Sequence, residues 1–328
     1  SWRQRGAQLS PSDFSQSLLQ KSVSVCGESS LTLKELIEKG RNPGEAGRHQ
    51  NRVVQLLGRA HDVAHIEKEL KDNENRQNAT DWLCTAWGYE GVQPRGFLQV
   101  LIRDVKPSLD CFCRNTRNIF LRKIRAVFAN AWSDTRRPIN EVTLWDWSSI
   151  VAALYKAELA RRVLTGEARE PAQIAWRLLS VRTDGLGYLF SVSSIPDLLA
   201  RKRLLDNALD RVKALLEDTY PLGLEVYRDE NGAIFVVPDL DVLELNRDEK
   251  NKSLKDLILE QFNAGGQNEQ SDLWGEVVPS LKVDQRPWKG QPPFTELPPL
   301  SDHFYKPRIK SDIQTVSKGW DERVADVC

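Results

Sequence analysis

The sharpest chemical feature of the chain is the dipeptide His61-Asp62, with His49 upstream and His65 one helical turn further on. Imidazole nitrogens and a carboxylate can hold a divalent metal such as magnesium, manganese or nickel, and a bound metal lowers the pKa of its water enough for attack on a phosphoester. On a helix, His61 and His65 at i and i+4 share one face, while Asp62 lies about 100° round. A second candidate is Asp146, flanked by Trp145 and Trp147 in TLWDWSSIVAALYKAELARR. An Asp distant in sequence from a His-Asp pair is the usual last ligand of a helical phosphohydrolase site, so the candidate metal set is His49, His61, Asp62 and Asp146. The competing reading is structural: the His-Asp pair is a chance surface pair, Asp146 or Ser148 caps a helix, and the tryptophans anchor a core.

Three further groups stand out. Asp184 ends a β-prone run, and Asp229 and Glu230 sit at a hairpin signal. In palm-type polymerases and cyclases, a carboxylate after the first strand and others on the next hairpin chelate the magnesium ions that clamp a triphosphate, which makes ATP a candidate ligand. The plainer reading of RDENG is a tight surface turn, for which Asp, Glu, Asn and Gly are suited. Arg114, Arg117, Arg122, Lys123 and Arg125 concentrate positive charge in one region. They form either a nucleic-acid contact or a solvated helix face. Cys111 and Cys113 have no matching second pair, whereas Cys328 is a candidate zinc ligand together with cysteines outside this sequence.

These groups need elements to position them. Residues 51 to 70 place Val53, Val54, Leu56, Leu57, Ala60, Val63, Ala64 and Ile66 at three- and four-residue intervals, which predicts an amphipathic helix carrying His61. Similar spacing predicts helices over 96–105, 116–132 and 148–164, with Pro94, Pro107 and Pro138 between them. After Pro171 the texture changes. IAWRLLSVRTD reads as a strand, Pro196 opens a long helix through Leu216, LEVYRD and GAIFVV form a hairpin, and a last helix runs from Leu254 to Phe262. That order is most of a ferredoxin-like unit. From Gly265 the chain becomes Gly-, Asn- and Pro-rich and reads as a linker or arm. The expected class is α+β, with a helical domain at 1–168, a ferredoxin-like domain at 169–264 and an arm at 265–328.

Lys plus Arg and Asp plus Glu each number 46, so the net charge is zero and charge-driven binding must be local. No apolar stretch approaches the roughly 20 residues of a spanning helix, and the first residues carry no apolar signal segment, so the expectation is a cytoplasmic protein with no membrane partner. Five scattered cysteines fit reduced thiols better than a disulfide framework. GxxxxGK[ST], GxGxxG and GxSxG motifs are absent, which removes the common nucleotide-loop and serine-hydrolase readings.

The stretch RRPINEVTLWDWSSIVAALYKAELA at 136–160 resembles the large subunit of type III CRISPR effector complexes, whose members often carry a Thr-Leu-Trp-Asp-His-Ser-like segment before an Ala-rich helix. LLGRAHDVAHIEKEL looks like divergent branches of that family, and the order of His-Asp pair, this segment and a palm-like region is the same. The resemblance covers about 50–260. It implies an HD-type nuclease-like domain, then a palm domain, then a zinc-binding segment, in a protein that acts in RNA-guided antiviral defence. Its implied partners are guide RNA, other effector subunits, and target RNA or single-stranded DNA. His61 and Asp62 match the HD pair and Asp146 the late Asp, but Trp147 stands where the family often has His. Tryptophan does not ligate metal, so the resemblance implies a degenerate nuclease site. The family's cyclase hairpin Gly-Gly-Asp-Asp is absent, so oligoadenylate synthesis is not expected of this chain. A stand-alone metal-dependent HD phosphohydrolase is the alternative.

Overall fold

The computed structural model describes residues 19–25, 27–40, 42–64, 82–84, 90–92, 103, 117–128, 144–245, 252–265, 273, 275–290, 298–305 and 307. The fold is α+β, and the chain divides into two compact units. One comprises residues 1–152, 166–171 and 292–294, and the other 153–165, 172–291 and 295–328.

In the first unit a short antiparallel pair, β1 (Ser22–Val23) and β2 (Leu31–Thr32), leads directly into α1 (Leu33–Gly40). Thr32 and Glu35 form a reciprocal cap at its start: the Thr32 amide donates to Glu35 Oε2 at 2.8 Å and the Glu35 amide donates to Thr32 Oγ1 at 3.2 Å. A single turn, α2 (Pro43–Ala46), precedes α3 (Arg52–Val63). Asn51 caps α3 by accepting the Val53 amide at 2.9 Å. The apolar positions read from the sequence are its inner face, since Val53, Val54, Leu56, Ala60 and Val63 are all buried. Gly58 is required there, because a Cβ would stand 2.3 Å from the Gly47 amide nitrogen. The strands β3 (Trp82–Cys84) and β4 (Glu90–Val92) pair antiparallel, and α4 spans Arg117–Phe128. Of the helix expected over 96–105, only residue 103 is among the described residues.

A long helix, α5 (Leu144–Thr165), starts in the first unit and ends in the second. It begins before Asp146 and Ser148, so neither is its N-cap; Asp146 lies in its first turn.

The second unit is built on four antiparallel strands: β5 (Trp176–Arg182), β6 (Leu224–Asp229), β7 (Gly232–Pro238) and β8 (Ser280–Val283). Their spatial order is β6-β7-β5-β8. A short helix α6 (Gly185–Leu189) and the long α7 (Ile195–Ala214) join β5 to β6, and α8 (Leu254–Asn263) lies between β7 and β8. The connectivity is therefore β-α-β-β-α-β; the sequence pattern predicts the first five of these elements and not the last strand. Ser194 caps α7 with Pro196 in its first turn, and the helix closes in a wide turn over Leu215–Thr219. The fourth strand lies within the segment whose composition reads as linker. Four residues of Ser-Leu-Lys-Val are too short for periodicity to register, and only pairing with β5 identifies them.

Alternation along the central strand assigns the two faces. Leu179 and Val181 of β5, with Phe235 and Val237 of β7, join Leu205, Leu209, Val212, Ile258 and Phe262 of the helices in one core. Trp176 is fully buried, and its indole donates to the Leu154 carbonyl of α5 at 2.8 Å.

Candidate functional site

His61 occupies the last turn of α3, where its ring meets the Trp147 ring of α5 edge-on at a centroid distance of 4.7 Å. The Trp147 indole donates to the Ala64 carbonyl at 3.1 Å, fixing the first turn of α5 on the end of α3. His61 Nδ1 lies 3.5 Å from the exposed Asp62 carboxylate. His49 is engaged locally, where its Nδ1 accepts the Asn51 amide at 3.0 Å. Asp146 is exposed. Burial depresses the pKa of the nearby Arg59 guanidinium, and Asp62 opposes that shift. Among the described residues, no group of three or more His, Cys, Asp or Glu side chains is arranged to hold a metal ion. An aromatic ring instead lies against the imidazole that a metal would use. The contacts described for His49, His61 and Asp62 are thus local or aromatic. His65 lies outside the described residues.

The hairpin of the second unit is defined in more detail. Asp229 and Gly232 close a two-residue turn made by Glu230 and Asn231, with Gly232 at φ 135°. Only glycine suits that backbone, and a Cβ there would stand 2.0 Å from the Val181 carbonyl oxygen. The turn is tied to the end of β5: the Thr183 amide donates to the Asn231 carbonyl at 2.7 Å, and the Leu186 amide to Asn231 Oδ1 at 3.1 Å. Asp184 caps α6, accepting the Gly187 amide at 3.0 Å.

Arg182, buried at the end of β5, grips Asp229 in bidentate fashion at 2.7 and 3.1 Å. Asp229 also accepts the Asn231 amide at 2.9 Å and the Tyr227 hydroxyl at 3.4 Å. Desolvation, reinforced by the Asp229 charge, raises the Tyr227 phenol above its ordinary pKa. Glu230 reaches toward Lys202 at 3.8 Å. Both oxygens of Asp229 thus have donors, and the adjacent cation is a guanidinium. Asp184, Asp229 and Glu230 are each engaged in an amide or ion-pair contact of their own. Arg182 carries no signal in the sequence, because a basic residue closing a strand is ordinary until its partner across the turn is known.

On α4, Arg117, Arg122 and Arg125 fall within an arc of about 140° at 100° per residue, with Lys123 beyond it. Arg122, Lys123 and Arg125 are exposed. Arg114, Cys111, Cys113 and Cys328 lie outside the described residues. No helix among the described residues is long and apolar enough to cross a membrane.

No family model and no curated protein matches the chain. Solved structures show a weak fold relationship. The crystal structure of a Csm1-Csm4 cassette in complex with cA3 matches with a TM-score of 0.47 and 12% identity, over 71% of this chain and 33% of that one. The Csm1-Csm4 subcomplex of the type III-A CRISPR-Csm interference complex matches at TM-score 0.48 and 12% identity, and the cassette with pppApApA at 0.48 and 14%, with the same coverage. The chain thus spans about a third of the length of these neighbours.

Proposed function

We propose that the chain is a portion of the large subunit of a type III CRISPR effector complex of a divergent branch, acting in RNA-guided antiviral defence. In this reading the first unit is an HD-like domain that has exchanged its metal centre for an aromatic contact. The second is a palm that contributes one wall of a nucleotide site in a palm pair. Guide RNA and smaller effector subunits are the partners, with the basic face of α4 as a nucleic-acid contact. The observation that carries the reading is the meeting of His61 and Trp147 at 4.7 Å. The sequence resemblance aligns these two positions with an HD histidine and with a residue that is often His. Their contact across α3 and α5 supports that alignment and accounts for the loss of metal together.

The test is metal content. The purified chain and its Trp147→His variant are incubated with excess manganese or nickel, dialysed, and analysed by elemental mass spectrometry. The expected result is no retained metal in the native chain and a gain in the variant. Stoichiometric metal in the native chain, with cleavage of single-stranded DNA abolished by Asp62→Ala, would replace this reading with a stand-alone HD phosphohydrolase.

A further inference from the structure

The face of the β5–β8 sheet opposite its helices is not open. Residues 298–305 cross it as a strap, centred on a single 3-10 turn at Leu300–His303. Over β8, Lys282 donates to the Asp302 carbonyl at 2.8 Å and the Tyr305 hydroxyl to Ser280 at 3.1 Å. Over β5, Arg182 Nε reaches the Tyr305 carbonyl at 3.5 Å. Over β6, the Phe304 ring packs edge-on against Tyr227 at 4.9 Å. The two residues contacted on β5 and β6, Arg182 and Tyr227, are the side chains that hold Asp229 at the hairpin.

The strap is fastened mainly by one buried polar contact. His303 is fully buried and its Nε2 meets Asp284 Oδ1 at 2.6 Å, while Asp284 Oδ2 accepts the Leu178 amide at 2.7 Å. The His303 Nδ1 is buried without a hydrogen-bond partner, so the closed position satisfies only one of the two ring nitrogens. The apolar side chains of the strap are only partly buried, Leu300 being 37% exposed and Phe304 46%. A segment with one strong polar pin, few buried apolar contacts and half-exposed ties belongs to the low-stability end of a structure, where opening is local rather than global.

We propose that residues 298–305 are a displaceable strap, pinned by His303 in Asp284, whose opening uncovers the end of the second face formed by Ser280, Lys282 and Arg182 and loosens the Arg182–Asp229–Tyr227 arrangement at the hairpin. Its link to ligand binding rests on the proposed nucleotide site; the strap itself does not. Hydrogen exchange followed by mass spectrometry on the full chain without nucleotide tests the strap. In the native chain, amides of 300–305 should exchange at least tenfold faster than those of β7, and His303→Ala should raise exchange in 300–305 and β8 by a further tenfold with α7 unchanged. Strap amides protected as strongly as β7 in the native chain would overturn the proposal, without reference to the variant. So would a His303→Ala effect that is absent or spreads equally through β5, β7 and α7. A fluorescent ATP analogue then tests the link: the proposal expects its affinity to change at least threefold in His303→Ala, and equal affinity in both forms overturns the coupling. Binding to neither form overturns the nucleotide reading, and the exchange result alone decides the strap.

Discussion

Replacing Gly185 by alanine tests how tightly the hairpin is built onto the end of β5. A Cβ at this buried position would stand 1.7 Å from the Glu230 carbonyl oxygen and 2.8 Å from its carbon, both backbone atoms that no rotamer change can move. Since a carbon and a carbonyl oxygen approach no closer than about 3.3 Å, the turn must retreat by roughly 1.5 Å. That movement stretches the Thr183–Asn231 backbone bond at 2.7 Å and the Leu186–Asn231 bond at 3.1 Å past useful length. Overpacking costs about 1–3 kcal/mol and each of the two lost bonds about 0.5–1.5 kcal/mol, which together give roughly 2–6 kcal/mol. For a unit of this size that is a fall in Tm of roughly 5–15 °C, measurable by calorimetry. Gly166→Ala is the control. Gly166 has φ 72° but nothing within 4 Å of its would-be Cβ, so the expected loss is the backbone cost alone, about 1–2 kcal/mol. A Gly185→Ala loss no larger than that of Gly166→Ala would refute the close approach and with it the fixed hairpin.

The remaining predictions concern charge. Glu158 is the buried acceptor for both Arg161, at 2.9 Å, and Arg162, at 3.2 Å, so Glu158→Gln should destabilise the chain by about 3–5 kcal/mol in urea unfolding; a loss under 1 kcal/mol would show that another anion neutralises the pair. Neutralising Arg117, Arg122 and Arg125 together should weaken binding of a labelled single-stranded RNA in fluorescence anisotropy and reduce the slope of log K against log salt by up to about 2; an unchanged slope would make that face merely solvated. Asp229→Asn should lower the Tyr227 pKa, read by ultraviolet titration of the phenol against Tyr227→Phe. Because the folded value is raised, the associated stability is complete below the ordinary tyrosine range and fades as pH rises through the folded value; Asp229→Asn narrows that gap, so the alkaline loss due to this phenol should shrink, and no difference between Asp229→Asn and the native chain would remove Asp229 as a cause.

Legibility in the sequence divides along the range of the interactions involved. The helix at 52–63, the long helix opened by Pro196 and the RDENG hairpin are local, so periodicity, proline placement and a glycine needed at φ 135° betray each of them. The strand at Ser280–Val283 is hidden because its only signature is a partner some hundred residues earlier, Leu179 to Arg182. The candidate site follows the same rule. Residue types at 61, 62, 146, 184 and 229 mark where chemistry has the right ingredients. Whether those groups are available depends on Trp147 and Arg182, whose roles are set by contacts distant in sequence.

The two contacts share a physical logic. A metal-binding cluster gathers imidazoles and carboxylates whose charge and lone pairs are costly to bury unless a cation completes them. At the end of α3 an indole lies beside His61, adding an edge-to-face contact and a hydrogen bond to Ala64. At the hairpin a guanidinium supplies the cation from within the chain, and its fixed fork satisfies Asp229 through two bonds. Each contact is a structural joint, α3 to the start of α5 in one unit and β5 to β6 in the other. Trp147→His should therefore cost stability by removing the ring contact to His61 and the bond to Ala64, and Arg182→Ala should cost stability while leaving Asp229 hydrogen-bonded to Asn231 and Tyr227.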